Sequence, residues 1–282
     1  MRQIVIYQLT RNDYRKARPA FEGMDYHLVV NSILAGMTPA RIYADHPTHP
    51  KAAFTWTRHR FFLAGDAGND AFNRALNRLF VQEIYPQAIA AGMSSFVLYY
   101  SPDSWEDQID IILEDQFPRK RLRQFWAVSE LGRDWRRLMP AGFSMRRVDR
   151  ALLAKAGLKN RDALIEEMQS ERASVEDFLR ESFGYCMLHG EEIVGWCLSE
   201  YNSENECEVG IETARAYRRQ GIATLTALAL IESALAQGMT RIGWHCWANN
   251  EGSIATAKRV GFKKVTDYPV YYVRLKNAQI PA

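Results

Sequence analysis

The chain has 282 residues, 47% hydrophobic and 24% charged, with a formal net charge of +3: enough apolar material for one large domain or two ordinary ones, and too little charge to argue for nucleic acid. The four cysteines, Cys186, Cys197, Cys207 and Cys246, include no C-x-x-C pair, so neither a zinc ribbon nor a disulfide framework is expected, and reduced thiols in a cytoplasmic protein are. No apolar run has the length of a membrane span and the N-terminus carries no signal pattern, so no membrane partner is expected.

Residues 27–34 read as a helix or a strand ending at Gly36. Residues 41–45 and 52–63 read as two strands of a hairpin around the turn His46-Pro47-Thr48-His49-Pro50. His46 and His49 have the H-x-x-H spacing of metal ligands. A proline after each keeps a helix from presenting both on one face, and no third ligand stands nearby, so a polar turn and no metal are expected. Asp70 is placed to cap a helix that buries Phe72, Leu76, Leu79 and Phe80, with a kink at Pro86 and an end at Gly92. Residues 95–100 form a strand. Asp103 or Ser104 then caps a helix with Trp105, Ile109, Ile112 and Leu113 inward, stopped by Phe117-Pro118, and 122–128 return as a strand.

The most basic stretch is 119–150, where Arg119, Lys120, Arg121, Arg123, Arg133, Arg136, Arg137, Arg146, Arg147 and Arg150 face only Glu130, Asp134 and Asp149. It reads as a patch for a polyanion such as RNA, or as a solvated connector whose arginines pair with acidic faces such as Glu166-Glu167. Aromatic residues do not interleave with it as in a single-strand groove, so a nucleic-acid partner is not expected. Pro140-Ala141-Gly142 is the expected boundary between domains of residues 1–140 and 141–282.

The second half opens with a strand at 143–148, then helices over 150–182 with Asn160 and Ser174 as caps, then two strands, 183–188 and 192–201, joined by His189-Gly190-Glu191. From Glu206 to Thr213, Cys207, Val209 and Ile211 alternate with Glu208, Gly210 and Glu212, the pattern of a strand with two different faces. The strand runs into Arg218-Arg219-Gln220-Gly221-Ile222-Ala223, and Thr224 onward is a strong helix former. A strand, a turn rich in Arg and Gly, and a helix N-terminus offer free backbone N–H groups and partial positive charge to an anion. Small side chains at Gly221 and Ala223 let a diphosphate come close. The bland alternative is an ordinary strand–turn–helix corner with surface arginines.

The pattern Arg218-x-x-Gly221-x-Ala223, with an alternating strand before it and then a helix, a strand (240–248), Asn250, a second helix and Gly261-Phe262, resembles the coenzyme-binding half of GNAT acyltransferases over roughly 143–275. Residues 40–128, taken as strand, strand, helix, strand, helix, strand, resemble a second half-fold of that kind. There Gly65-Asp66-Ala67-Gly68-Asn69-Asp70 stands where the anion turn would be, and its aspartates would repel a diphosphate. Together with segments such as ARIYADHPTHPKAAFTW, the chain resembles a bacterial two-part GNAT family: a mixed α/β fold, a central sheet flanked by helices, with a degenerate N-terminal half before an acetyltransferase half.

The resemblance implies acetyl-CoA as co-substrate and transfer of its acetyl group to a primary amine of a small molecule or peptide, in a possible homodimer. Ile211 and Thr213 would meet the pantetheine arm, Arg218, Arg219, Gln220, Gly221, Ile222, Ala223 and Thr224 the diphosphate, and Asn250 and Ser253 the pantetheine or acceptor side; Asn250 also reads as a plain helix cap. Glu208 and Glu212 share a strand face. Glu208, deeper in the strand, is the first candidate for the base that deprotonates the ammonium; Glu212 lies nearer the phosphate turn, and His245 is a third candidate. Many relatives carry a Tyr seven residues after the Asn as acid for the thiolate, and Ala257 stands there instead. The chain is therefore open to a second reading, a non-catalytic acyl-CoA sensor.

Overall fold

The computed structural model describes residues 6–276 apart from Asp115. They fall into two compact units, one built from the chain up to Leu122 with the residues from Pro269 onward, the other from Arg123 to Tyr268. The boundary expected at 140/141 lies inside the second of these.

In the first unit β1 (Tyr7–Gln8), a long 3-10 segment (Arg11–Met24) and α1 (Leu28–Leu34) precede β2 (Arg41–Ala44), β3 (Ala52–Thr57) and β4 (Arg60–Gly65). A helical stretch of α2 (Asp70–Leu79), a π turn (Phe80–Ile84) and α3 (Tyr85–Ala90) leads to β5 (Ser95–Ser101). A 3-10 turn and α4 (Ile109–Ile112) then lead to β6 (Phe117–Val128). Strands β1 to β4 are antiparallel neighbours, β4 and β5 are parallel, and residues 271–274 pair antiparallel with β5. Their shared core is aromatic: Phe54, Phe61, Phe72, Phe80, Phe96 and Trp105 are buried, and Phe61 stacks on Phe96 with ring centroids 4.1 Å apart.

Several expectations change here. Residues 52–63 are not one strand: Arg58, with φ of 48°, turns the chain back so that the apolar run closes on itself as the β3–β4 hairpin. The cap of α2 is Asn69, whose side chain accepts the Phe72 N–H at 3.1 Å, and Asp70 is the first helical residue. Phe117-Pro118 opens β6, a strand position where proline's missing N–H does no harm. Around His46, the ring Nδ1 accepts the backbone N–H groups of Thr48 and His49, which makes the segment a hydrogen-bonded turn.

The second unit continues with β7 (Phe143–Arg147), α5 (Arg150–Leu153), α6 (Arg161–Glu171), α7 (Val175–Glu181), β8 (Gly184–His189), β9 (Glu192–Ser203) and β10 (Glu206–Thr213). Then come α8 (Ile222–Ala236), β11 (Arg241–Trp247), α9 (Glu251–Val260) and β12 (Lys263–Arg274). Residues 123–128 of β6 pair antiparallel with β11, β11 runs parallel to β10, and β10, β9, β8 and β7 follow as antiparallel neighbours. Helices cover both faces of this mixed sheet. Leu164, Met168 and Phe178 of α6 and α7 pack on Cys186, Leu188, Trp196 and Leu198; α8 and α9 pack on Cys197, Cys207, Ile242, Trp244 and Cys246. Alanine, leucine and isoleucine make α8 apolar on nearly every side, and each fully buried Leu or Ile contributes roughly 1.5–3 kcal/mol.

Trp135 and Arg136, in the stretch read as a connector, both bond the carboxylate of Glu232 on α8, at 2.9 and 2.8 Å. Elsewhere in the stretch Lys120 pairs with Glu106 and Arg150 with Glu176, so its acidic partners include Glu106, Glu176 and Glu232. Asn160 does not cap α6 with its side chain: its Nδ2 donates to the Ile193 carbonyl at 2.8 Å, while Ser174 does cap α7 through the Asp177 N–H. No helix among the described residues is long and apolar enough to cross a membrane.

Candidate active site

The parallel strands β10 and β11 pair only over Glu206, Cys207 and Glu208 with Arg241, Ile242 and Gly243. Beyond that point 209–213 continue against β9 and 244–247 against β6, so the two strands part into a fork. In the first unit, by contrast, β4 and β5 stay paired from Arg60↔Val97 to Ala64↔Ser101, and the loop after β4 folds the Asp66 carboxylate onto the Gly68 N–H. The fork is where polar backbone of two strands is left for another partner.

Glu208 stands at the apex. Its side chain is 7% exposed and its stem crosses Gly243, where an added Cβ would come within 3.3 Å of the Glu208 Cγ. Its Oε1 lies 3.3 Å from Nε2 of His245, whose side chain is 11% exposed. His245 stacks on Phe125 (4.6 Å, 22°) and its Nδ1 lies 2.8 Å from the Tyr268 hydroxyl, which also accepts from Nε of Arg123 at 3.2 Å. Trp247 is on the same strand face as His245, under the Arg123 guanidinium at 4.8 Å, while Trp244 and Cys246 turn into the core under α8 and α9.

Glu212 lies elsewhere: half-exposed, it pairs at 3.3 Å with Arg218, whose Nε also donates to the Thr213 carbonyl. Between the two glutamates Gly210 leaves room for a third carboxylate. Glu200, directly opposite Glu208 on β9 and buried, lies where a Cβ at 210 would stand. Sequence reasoning passed over Glu200, Arg123 and the role of Tyr268, because each joins the site from another strand. A glutamate inside the mostly apolar run 193–201 was the available signal.

The turn read as an anion site joins β10 to α8. Arg218, Arg219 and Gln220 are exposed, Arg219 and Gly221 both take left-handed conformations (φ 64° and 84°), and Gly221 is the N-cap of α8. A glycine cap brings no side chain to bond the first N–H groups of the helix, those of Ile222, Ala223 and Thr224. Space over Gly221 is open. Ile222 and Thr224 are buried, which seats the helix start against the sheet. Ile211 packs toward α8, and the Thr213 hydroxyl is buried with no hydrogen-bond partner among the described residues.

Asn250 caps α9 through the Ser253 N–H (3.0 Å), and the Ser253 hydroxyl accepts from Trp244 Nε1 (2.9 Å). Ala257 is fully buried in the core beneath β11, so no phenol fits at that place without displacing core atoms.

The family model described as GNAT acetyltransferase matches residues 18–271. The chain belongs to the GNAT acetyltransferase family. It is 31% identical over 271 residues to the uncharacterized N-acetyltransferase YdfB of Bacillus subtilis, covering 95% of this chain and 98% of that protein. A GCN5-related N-acetyltransferase-like protein from Streptococcus suis shares the fold with a TM-score of 0.66 at 22% identity, over 93% of this chain and 99% of that one. A tandem GNAT protein from the clavulanic acid biosynthesis pathway does so with a TM-score of 0.58 at 10% identity, over 98% and 99%. The protein is accordingly an acyltransferase of a family whose general reaction is acetyl transfer, with the mixed α/β fold expected of it.

Proposed function

We propose that this enzyme transfers the acetyl group of acetyl-CoA to a primary amine of a small molecule or peptide, with Glu208 as the base. The observation that carries the reading is the buried carboxylate of Glu208 at the apex of the β10–β11 fork, held beside His245. The residues around it suit the coenzyme. The left-handed turn at Gly221 and the bare N–H groups of Ile222, Ala223 and Thr224 suit a diphosphate, with Arg218 and Arg219 adding charge. The parted edges of β10 and β11, with the orphaned Thr213 hydroxyl, suit an amide-bearing arm.

The chemistry asks little of the protein. An ammonium acceptor loses a proton to Glu208, its nitrogen attacks the thioester carbonyl carbon, and the new N–C bond forms as the C–S bond breaks. Glu212, tied to Arg218, belongs to the diphosphate end and is not the base in this reading. Asn250 and Ser253 order the start of α9, and the Ser253 hydroxyl ties it to Trp244 of β11. With a core alanine at 257, the departing thiolate takes its proton from solvent or from the acceptor's own proton through Glu208.

The test is calorimetric titration of acetyl-CoA into the protein, followed by free-thiol release across a panel of amines. Binding lost in an Arg218→Glu/Gly221→Asp variant, together with thiol release dependent on one class of amine, is the expected result. Tight binding with no release for any amine would return the sensor reading, and no binding by the folded wild type would remove both.

A further inference from the structure

Three contacts beneath the fork form one chain: Arg123 Nε to the Tyr268 oxygen (3.2 Å), the Tyr268 oxygen to His245 Nδ1 (2.8 Å), and His245 Nε2 to Glu208 Oε1 (3.3 Å). The two ends set its direction. A guanidinium has donors only, so the Tyr268 oxygen accepts at that end and its own proton can be given to Nδ1. An ionised carboxylate has acceptors only, so the ring nitrogen facing it must carry a hydrogen. A ring that accepts at Nδ1 and donates at Nε2 is the neutral Nε2–H imidazole.

We propose that Tyr268 and Arg123 are positioning residues that hold His245 in this neutral tautomer and thereby aim the Glu208 carboxylate, unprotonated, into the fork. The proposal rests on the reading of Glu208 as the base. Packing supports it from two sides. Phe125 stacks flat on the imidazole, so the ring turns over only by breaking that contact. Trp247 carries the Arg123 guanidinium on its face, which holds the donor at the far end in place. Tyr268 itself is 5% exposed, so it acts through His245 and does not stand in for the tyrosine absent at 257. The other neutral tautomer would set an N–H against the Tyr268 hydroxyl and a lone pair against the carboxylate.

The tautomer is read directly from long-range proton–nitrogen spectra of the full-length protein labelled with nitrogen-15 in its histidine rings, His245 being assigned by its loss in His245→Gln. A pyridine-type Nδ1 and a pyrrole-type Nε2 are expected in the wild type. Tyr268→Phe should move the signals toward a mixture of forms and lower kcat roughly three- to tenfold, the loss of one hydrogen bond, with KM for acetyl-CoA kept within about twofold. Arg123→Met, which removes the far donor without touching the ring, should move the spectrum the same way. An imidazolium or an Nδ1–H ring in the wild type, or unchanged spectra in both variants, overturns the proposal. The spectra need no turnover, so failure of the acetyl-transfer reading would show separately, as absent thiol release by a wild type with the stated tautomer.

Discussion

Glu208 lies across Gly243 so closely that a methyl group at 243 would stand 3.3 Å from its Cγ and 3.0 Å from a ring carbon of Phe125. The glycine is therefore part of how the carboxylate is aimed. Gly243→Ala should shift Glu208 or the Phe125–His245 stack by a few tenths of an ångström and lower kcat about tenfold, in line with the sensitivity of reacting groups to small misplacement. Steady-state kinetics beside a thermal melt check this, and an unchanged kcat would detach the aim of Glu208 from the reaction.

Glu208→Gln keeps the shape and removes the proposed base. Turnover should fall by about 10²–10⁴ while the affinity for acetyl-CoA, measured by calorimetry, stays within about threefold. Equal losses in both would mean that the side chain serves binding.

At Gly221 an added side chain meets open space, so the cost of Gly221→Ala is conformational only: roughly 1–2 kcal/mol for holding an L-residue at φ 84°. Chemical denaturation should show that loss, and relaxation of the turn should weaken acetyl-CoA binding. Full stability with full affinity would show that the left-handed turn is dispensable.

Hydrogen bonds from Arg136 and Trp135 hold the Glu232 carboxyl below the ordinary carboxylate range. A depressed folded-state value stabilises the fold above the unfolded value of about 4.3 and loses that effect as pH falls through the folded one. Glu232 is partly exposed, so Glu232→Gln should cost no more than about 1 kcal/mol at pH 7, and the difference from wild type should close in acid. Urea denaturation at several pH values would find a constant difference if this sign is wrong.

All four cysteines are buried and free, and burial pushes the Cys186 thiol up to about 12 and raises those of Cys197, Cys207 and Cys246. Such thiols are poor nucleophiles at neutral pH. A colorimetric disulfide reagent should therefore label the native protein slowly and all four sites at once in denaturant. Rapid native labelling of even one would show that its cover opens.

How much of this was legible depended on how local each signal is. The two-faced strand from Glu206, the arginine–glycine turn and the apolar helix after it can be read because alternation, turn and helix follow one another within some thirty residues. The break at Arg58 escaped because only Arg58-His59-Arg60 interrupts the apolar run, with no Gly, Pro, Asn or Asp to announce a turn. The Asn69 cap was misplaced by one position because aspartate and asparagine are both good caps. Glu208 and His245 could be named as candidates, yet not as neighbours. The chain that joins them to Tyr268 and Arg123 draws on four strands, and its last link spans 145 positions of sequence. Side-chain direction across a sheet is a property of register, which periodicity alone does not supply.

The parting of β10 from β11 after three residue pairs leaves the strands of the second unit with two inner edges, each lined on its far side by well-paired strands. Structurally these edges are more sheltered than outer ones, since α8 and α9 close over one face of the fork. A ligand bearing amides that enters such a slot takes the place of a missing strand. Its arrival should therefore be felt as a gain in cooperativity: the half-sheet of β6 and β11 and the half-sheet of β7 to β10 would exchange their amide hydrogens as one body when the slot is filled and more independently when it is empty.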